Sequence, residues 1–484
     1  MMPAISLAPA HAKSVDKGRM LETAALATTA WMERWFPDTF SFAVLALALV
    51  STAAMVAGAT PRAVAIAFGD GLWSLMPFTM QMVFVVILGH VVARAPPTTW
   101  LISAMARVPR TGRGAVVYVA VVSMMASLLS WALSLIFSGL LARELARRRE
   151  LRMDYRAAGA AAYLGLGVTW CMGISSSAAQ LQANWQSLPR ELFAISGVIP
   201  FTETIFLWQS GLLTLAALVV AAAIAYHSAP APVRAQTAER LGIQSGIPTM
   251  DLPTRGQRPG ESLEYSPILT LVLVALAFGF LLNEFATKPA VFVISNLNSY
   301  NLAFLFLGLL LHWRPRRFLD CVREAVGATA GILIQFPIYA AIGAVLINAR
   351  TPSGHSLGDD LAMFFVRAAS ADLFPLLMGL YSGLLGLFVP SGGGRWIIEE
   401  PFVMQAANDL KVHLGWAVQA YNAAGALPNL INPFWMAPLL GITGLKARDL
   451  VGFTLMQLAI LAPLILALLW LLGRTLSYHA PMLP

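Results

Sequence analysis

Apolar segments alternating with short polar loops set the pattern of this chain. Stretches on the scale of a membrane-spanning helix recur at 40–57, 198–226, 268–282 and 450–472. Further apolar segments lie at 72–93, 116–141, 157–181, 297–312, 327–347, 373–388 and 412–440. Only 227–265 is long and polar, with Pro230, Pro232, Pro253 and Pro259, and it reads as a cytoplasmic linker between two halves. The pattern predicts an all-α polytopic membrane protein.

Several apolar segments are interrupted. The sharpest break is Val389-Pro390-Ser391-Gly392-Gly393-Gly394-Arg395-Trp396. Proline and three consecutive glycines cannot continue a helix there. Non-helical backbone at membrane depth survives only inside protein or beside a water-filled cavity. Three more breaks fall at 127–131, at Gly165, Gly167, Gly173 and Ser175-Ser176-Ser177, and at Gly425, Pro428, Asn429, Asn432 and Pro433.

Charge orders these segments. The loop 94–113 carries Arg94, Arg107, Arg110 and Arg113; the loop 143–156 carries Arg143, Arg147, Arg148, Arg149, Arg152 and Arg156. Both read as cytoplasmic, so 116–141 cannot cross once between them. A re-entrant helix–turn–helix that enters from the cytoplasm and turns near 127–131 resolves the conflict. The acidic surroundings of 372–403, with Asp359, Asp360, Asp372, Glu399 and Glu400, suit a second hairpin entering from outside. The halves also correspond: Gln81 with Pro77 matches Gln335 with Pro337, 127–131 matches 385–389 beside Ser391, and Tyr163 matches Tyr421.

The expected architecture is an inverted-repeat transporter with about ten spans and two re-entrant hairpins. Its divisions are an N-terminal cytoplasmic and interfacial segment 1–36, a first repeat 37–226 (hairpin 114–142, broken span 157–181), the linker 227–265, a second repeat plus one extra span 266–474 (hairpin 372–403, broken span 412–440), and a tail 475–484. The N-terminus is expected in the cytoplasm and the C-terminus in the periplasm.

Composition agrees. The chain is 58% hydrophobic and 12% charged, against roughly 25% charged in soluble domains, and its mean hydropathy is +0.70. The net charge of +8 belongs to the arginine loops, and no basic stripe interleaved with exposed aromatics points to nucleic acid. Thirteen tryptophans fit interfacial belts. Cys171 and Cys321 form no CxxC, so neither a disulfide framework nor a zinc site is indicated. No metal-spaced His/Cys/Asp/Glu constellation, GxSxG or P-loop suggests an enzyme or a cofactor. A passive channel, or a membrane protein without transport activity, is the competing class.

Helix N-termini that follow breaks present N–H groups suited to a carboxylate. Freed carbonyls together with Ser and Asn oxygens suit Na⁺. The candidate substrate-binding residues are Ser391, Gly392, Gly393, Gly394, Arg395, Ser130, Trp131, Gln335 and Asn432. The candidate ion-binding residues are Ser175, Ser176, Ser177, Pro390 and Asn429. Each has a plainer alternative. The serines pack helices, Arg395 pairs with Glu399 or Glu400 one turn on, and Gln81 and Gln335 bridge helices. Trp131, Trp170, Trp396 and Trp435 either wall an apolar pocket for a short acyl chain or anchor at the interface.

Several motifs resemble the bacterial short-chain fatty acid transporter family, linked to acetoacetate and butyrate catabolism. They are Val389-Pro390-Ser391-Gly392-Gly393-Gly394-x-Trp396 followed by Pro401-Phe402-Val403, Phe68-Gly69-Asp70-Gly71-Leu72-Trp73, Ala142-Arg143-Glu144-Leu145-Ala146-Arg147, Gly331-Ile332-Leu333-Ile334-Gln335-Phe336-Pro337 and Pro433-Phe434-Trp435. The resemblance spans about 35–473. It implies membership of the ion-transporter superfamily, with inverted repeats, two hairpins and an elevator motion. It further implies a short-chain carboxylate substrate, with H⁺ or Na⁺ as coupling ion, in the inner membrane. The lipid bilayer is the expected surrounding, and a homodimer the assembly to consider. A Na⁺/dicarboxylate carrier of the same superfamily is the nearest alternative. Arg395 stands where the family pattern has histidine and Ser130 where it has asparagine; 422–432 lacks the expected Glu and Trp, and Cys171-Met172-Gly173 replaces a fuller glycine run.

Overall fold

The computed structural model describes residues 17–35, 38–74, 76–183, 195–246, 258–290, 293, 296–389 and 392–481. Among them every regular element is helical. Among the described residues, seven helical stretches are long and apolar enough to cross a membrane, accompanied by the shorter apolar helices Phe40–Val56, Phe374–Phe388 and Pro433–Thr443. The chain is a multi-pass membrane protein. Opposite locations for the two termini require an odd number of crossings, which an even count of ten does not provide.

The order of elements repeats. Met76–Ala93, Pro96–Met105, the pair Gly112–Leu129 and Trp131–Leu145, the broken element starting at Tyr155–Leu164, and Trp208–Ser228 follow one another in the first half. Ala330–Asn348, Leu357–Ala368, the pair Phe374–Phe388 and Gly392–Asp409, the broken element starting at Leu414–Ala426, and Ala447–Gly473 follow in the same order in the second.

Gly112–Leu129 and Trp131–Leu145 are joined by a single residue, Ser130, and pack against each other. The joint falls inside the expected turn at 127–131. Gly112–Leu129, at 18 residues, is itself long and apolar enough to span, so this arm is longer than a hairpin stopping at midplane needs.

The arginine-rich loops lie side by side. Arg148 Nη1 donates to the Ala106 carbonyl at 2.9 Å and to that of Pro109 at 2.6 Å. Arg94 pairs with Glu324, and Arg143 Nη1 donates to the Ile442 carbonyl at 2.8 Å. The basic segments therefore share one end of the molecule. Ala447–Gly473, at 27 residues, carries the chain about 40 Å away, to the end where Arg474 pairs with Asp372 at 2.7 Å.

Two expectations change. The segment 198–226 is not one helix: Phe201–Glu203 is a short 3₁₀ turn, and the long helix begins only at Trp208. Pro200 and the turn around Thr204 (φ −123°, ψ −96°) interrupt it. The stretch 229–246 of the expected linker is strapped down rather than free. Asp154 Oδ2 accepts Gln236 N–H at 2.9 Å, Glu22 Oε1 accepts Ala231 N–H at 2.8 Å, and Arg234 pairs with Glu22 at 2.8 Å. Residues 247–257 lie outside the described residues.

One continuous core takes in both helix pairs and both broken elements. A second, smaller core of Leu88, Val91, Leu309, Phe318 and Cys321 joins Met76–Ala93 to Leu297–His312 and Pro315–Val326. Pro267–Thr287 packs on Leu297–His312 and otherwise presents apolar side chains outward, which is how a helix meets lipid.

Candidate functional site

The two broken elements run antiparallel, with their breaks abreast. Four contacts fix the register. Tyr155 hydroxyl donates to the Thr443 carbonyl at 2.9 Å. Tyr163 hydroxyl donates to the Asn429 carbonyl at 2.8 Å. Asn422 Nδ2 donates to the Cys171 carbonyl at 2.8 Å and also to Ser176 Oγ. As the first element advances from 155 to 176, its partners recede from 443 to 422.

Each break has its own chemistry. In the first, Tyr155–Leu164 passes into a π-helical turn, Gly165–Thr169, then a 3₁₀ turn, Trp170–Met172, before Ser177–Ala183 resumes. Wide π turns of this kind are frequent at functional sites. Glycine is required where the first helix pair crosses this turn. A Cβ on Gly165 would lie 2.2 Å from Ser134 Oγ and 2.4 Å from the Ser123 carbonyl; one on Gly173 would lie 2.4 Å from the Leu128 carbonyl. Ser123 Oγ accepts Gly165 N–H at 3.0 Å and donates to the Ala162 carbonyl at 2.6 Å. Ser123 therefore satisfies backbone groups on both sides of the point where the π turn begins. In the second break, Leu414–Ala426 gives way to the 3₁₀ turn Leu427–Leu430, and Pro433–Thr443 restarts behind Asn432.

The expected site residues divide. Ser130 is a cap: its Oγ accepts Leu133 N–H at 3.3 Å. Trp131 N–H donates to Ser175 Oγ at 2.9 Å, tying the tip of the first pair to the first break. Ser176 receives the Asn422 amide, and Ser177 opens Ser177–Ala183 half-buried. Asn429 Nδ2 reaches the Leu166 carbonyl at 3.5 Å. Asn432 is committed at both ends, its Oδ1 accepting Phe434 N–H at 3.0 Å and its Nδ2 donating to the Leu387 carbonyl at 3.1 Å. Gln335 is buried with Oε1 unpartnered, one residue before Phe336, whose ring stacks on Phe434 at 3.8 Å.

Pro390 and Ser391 lie outside the described residues. Gly392, Gly393 and Gly394 are helical, the first turn of Gly392–Asp409, and not part of an open loop. Here glycine admits the Trp170 indole, whose Cη2 lies 2.6 Å from where a Gly392 Cβ would stand.

Arg395 is buried and pairs with neither Glu399 nor Glu400. Its Nη1 donates to the Ser382 carbonyl at 2.9 Å and its Nη2 to that of Gly425 at 3.4 Å. Its Cζ lies 5.3 Å from the centre of the Tyr421 ring. Nε has no partner, and no ion pair to Arg395 occurs among the described residues. Gly386 and Gly425 make room: a Cβ on Gly386 would lie 2.7 Å from Arg395 Nη1, and one on Gly425 would lie 2.3 Å from Nη2.

Trp170, Trp396 and Trp435 are buried and so do not form interfacial belts. Trp131 meets Trp435 edge-on at 5.3 Å, and Trp396 meets Tyr421 at 4.8 Å. The two breaks are thus walled by aromatic rings, with one guanidinium among them.

Three participants are absent from the sequence-derived set: Asn422, Glu399 and Glu400. Asn422 begins the second interrupted stretch, 422–433, but is not among the expected ligands. The two glutamates read as partners for Arg395, whereas both are buried on the helix that Gly392 begins. Glu400 Oε1 accepts from Gln182 Nε2 and, at 3.2 Å, from Ser196 Oγ. Glu399 Oε2 has no partner. Neither carboxylate faces a cation among the described ion pairs.

Comparison with known proteins adds to this geometry. The family described as "Short chain fatty acid transporter" matches residues 20–472. A protein of Escherichia coli (strain K12) named "Putative short-chain fatty acid transporter" is 34% identical over 450 residues, covering 93% of this chain and 98% of that protein. A Haemophilus influenzae protein of the same name is 31% identical over 450 residues, covering 92% and 98%. Among solved structures, the chain is similar to the YdaH transporter of Alcanivorax borkumensis (TM-score 0.43, 15% identity, 93% of this chain and 100% of that one). It is also similar to MtrF of Neisseria gonorrhoeae (TM-score 0.39, 14% identity, 95% and 100%).

Proposed function

The chain belongs to the short chain fatty acid transporter family, and from that membership and its site we propose a secondary active carrier of short-chain monocarboxylates, such as butyrate or acetoacetate, across a bacterial inner membrane. The family is one of transporters and not of enzymes. The observation that carries the substrate class is Arg395. A buried guanidinium without a carboxylate partner is costly, and an anionic substrate supplies the missing charge. One such cation suits one carboxylate. The rings of Trp131, Trp170, Trp396 and Trp435 suit a short acyl chain.

The coupling ion is H⁺ in this reading. Two of the oxygens expected to hold Na⁺ already accept hydrogen bonds, Ser175 Oγ from Trp131 N–H and Ser176 Oγ from the Asn422 amide. Glu399 and Glu400, buried without a cation, are instead suited to bind and release protons. The elements that carry both breaks move relative to Leu297–His312 and Pro315–Val326 in an elevator-type exchange. The arginine-rich end faces the cytoplasm.

The test is uptake of labelled butyrate, acetoacetate and succinate into proteoliposomes under separate H⁺ and Na⁺ gradients. Accumulation of butyrate or acetoacetate driven by a proton gradient is expected. Uptake of succinate alone would reassign the chain as a dicarboxylate carrier, equilibration without accumulation would make it a channel, and no uptake would remove the transport reading.

A further inference from the structure

At the end of the molecule remote from the arginine-rich loops, three distant parts of the chain bring together Glu203, His413 and His479. Glu203 closes the turn Phe201–Glu203, and His413 caps Leu414–Ala426. His479 lies in the tail beyond Ala447–Gly473. One ligand atom from each lies within 4.8 Å of the other two. Glu203 Oε2 is 2.9 Å from His479 Nε2, yet it is buried and not aligned as a hydrogen-bond acceptor. The two imidazoles meet edge-on with ring centres 5.0 Å apart.

The tail is held there by contacts other than His479. Gln209 Nε2 donates to Thr475 Oγ1 at 2.9 Å, the Tyr478 hydroxyl meets Asn408 Oδ1, and the Lys411 ammonium sits 4.7 Å from the Tyr478 ring centre. The convergence is built by the fold and is not the resting place of a loose end.

We propose that Glu203, His413 and His479 form a binding site for a divalent transition cation of the Zn²⁺ class. Two imidazoles and one carboxylate are a ligand set that such ions prefer over Mg²⁺ or Ca²⁺. Three protein ligands leave a fourth position for water. Around a tetrahedral ion with bonds of about 2.0–2.1 Å, ligand atoms stand roughly 3.4 Å apart, so the Glu203–His479 pair at 2.9 Å opens slightly while His413, within 4.8 Å of both, closes on it. The half-buried His479, on its short tail, supplies that movement.

Binding has a structural consequence. His413 Nδ1 accepts the Trp416 N–H at 3.1 Å and so caps the second broken element. Ligation through Nδ1 takes that lone pair. Ligation through Nε2 moves the ring proton to Nδ1, which then cannot accept. Turning the ring over removes Nδ1 from the cap altogether. Cation and cap are therefore mutually exclusive, and occupancy loosens the start of the helix that carries Tyr421 and Asn422.

The experiment is Zn²⁺ binding to the purified full-length chain, by calorimetry and by metal analysis after dialysis. One equivalent per chain is expected. His479→Ala and His413→Asn should each weaken binding at least tenfold. Asparagine is itself a good N-cap, so His413→Asn removes the ligand while keeping the helix start. Excess Mg²⁺ should not compete. Failure of the wild-type chain to retain Zn²⁺, or binding by both variants at wild-type affinity, would reduce the cluster to an ordinary Glu203–His479 ion pair; displacement by Mg²⁺ would overturn the ion class. None of these readouts depends on which substrate the protein carries.

Discussion

The Tyr163 hydroxyl and the Asn429 carbonyl meet at 2.8 Å across 266 residues of sequence. One group stands two residues before the π turn of the first broken element, the other within the 3₁₀ turn of the second. Removing it is informative because a neighbouring tyrosine provides the control. Tyr163→Phe deletes a buried hydrogen bond worth about 1 kcal/mol, and should lower the melting temperature in detergent by roughly 1–2 °C. Tyr339 is equally buried, but its hydroxyl has no partner. Tyr339→Phe should therefore leave melting unchanged or raise it slightly. Equal destabilisation by both would mean that the Tyr163 bond contributes nothing as a link.

The glycines make a second contrast. Gly165→Ala places a methyl 2.2 Å from Ser134 Oγ and 2.4 Å from the Ser123 carbonyl. Backbone cannot yield cheaply there, and overpacking of this kind costs about 1–3 kcal/mol. Gly279→Ala, in Pro267–Thr287, meets nothing within 4 Å and gains up to about 1 kcal/mol of helix propensity. Thermal melting of the two variants should shift in opposite directions.

Much of this arrangement is legible in the sequence because the bilayer narrows the choices. Apolar length marks the helices, and arginine marks one end. Pro and Gly mark the breaks at 165–173 and 425–433, and Ser130 falls inside the expected turn. What stays hidden depends on neighbours. Three glycines in a row read as loop, but become a helical first turn once Trp170 needs the space beside Gly392. Ser130 and Asn432 read as ligands from their place in the breaks, and only the fold reveals that each also caps a helix start. Arg395 and Glu399 are one helical turn apart and read as a pair, yet the guanidinium turns toward Ser382 and Gly425. The polar stretch 229–246 reads as a tether, since nothing local reveals that Asp154 and Glu22 hold it. Glu203, His413 and His479 are too far apart in sequence for any spacing rule to join them.

Arg395 should behave as a substrate counter-charge. Arg395→Gln retains hydrogen-bonding capacity but removes the charge. Loss of a charge-assisted bond to a carboxylate costs about 2–3 kcal/mol, or roughly 30- to 150-fold in substrate affinity. Arg395→Lys keeps the charge without the fork and should lose less. Binding of butyrate, measured by calorimetry, should therefore fall in the order wild type, Lys, Gln, with melting temperatures recorded alongside. A Gln variant that binds butyrate at wild-type affinity would make Arg395 a structural strap between Phe374–Phe388 and Leu414–Ala426. Arg395→His additionally tests selectivity: unchanged relative uptake of mono- and dicarboxylates would separate this position from substrate choice.

Glu399 and Glu400 should divide exchange from accumulation. Glutamine keeps the shape of glutamate and cannot cycle a proton. If the buried carboxylates couple transport to H⁺, Glu399→Gln should still exchange labelled for unlabelled substrate across a vesicle membrane, because exchange needs no net proton movement. The same variant should fail to accumulate substrate when a proton gradient is applied. Glu400 is bound by Gln182 and Ser196, so Glu400→Gln also perturbs that contact and is expected to lower exchange as well. In the wild type, accumulation should decline as the pH of the loading side rises, since a carboxylate must take its proton from that side before the inward step. Proton-driven accumulation at wild-type level in both variants, or accumulation that follows Na⁺ and ignores pH, would remove the two glutamates from coupling while leaving the carrier reading in place.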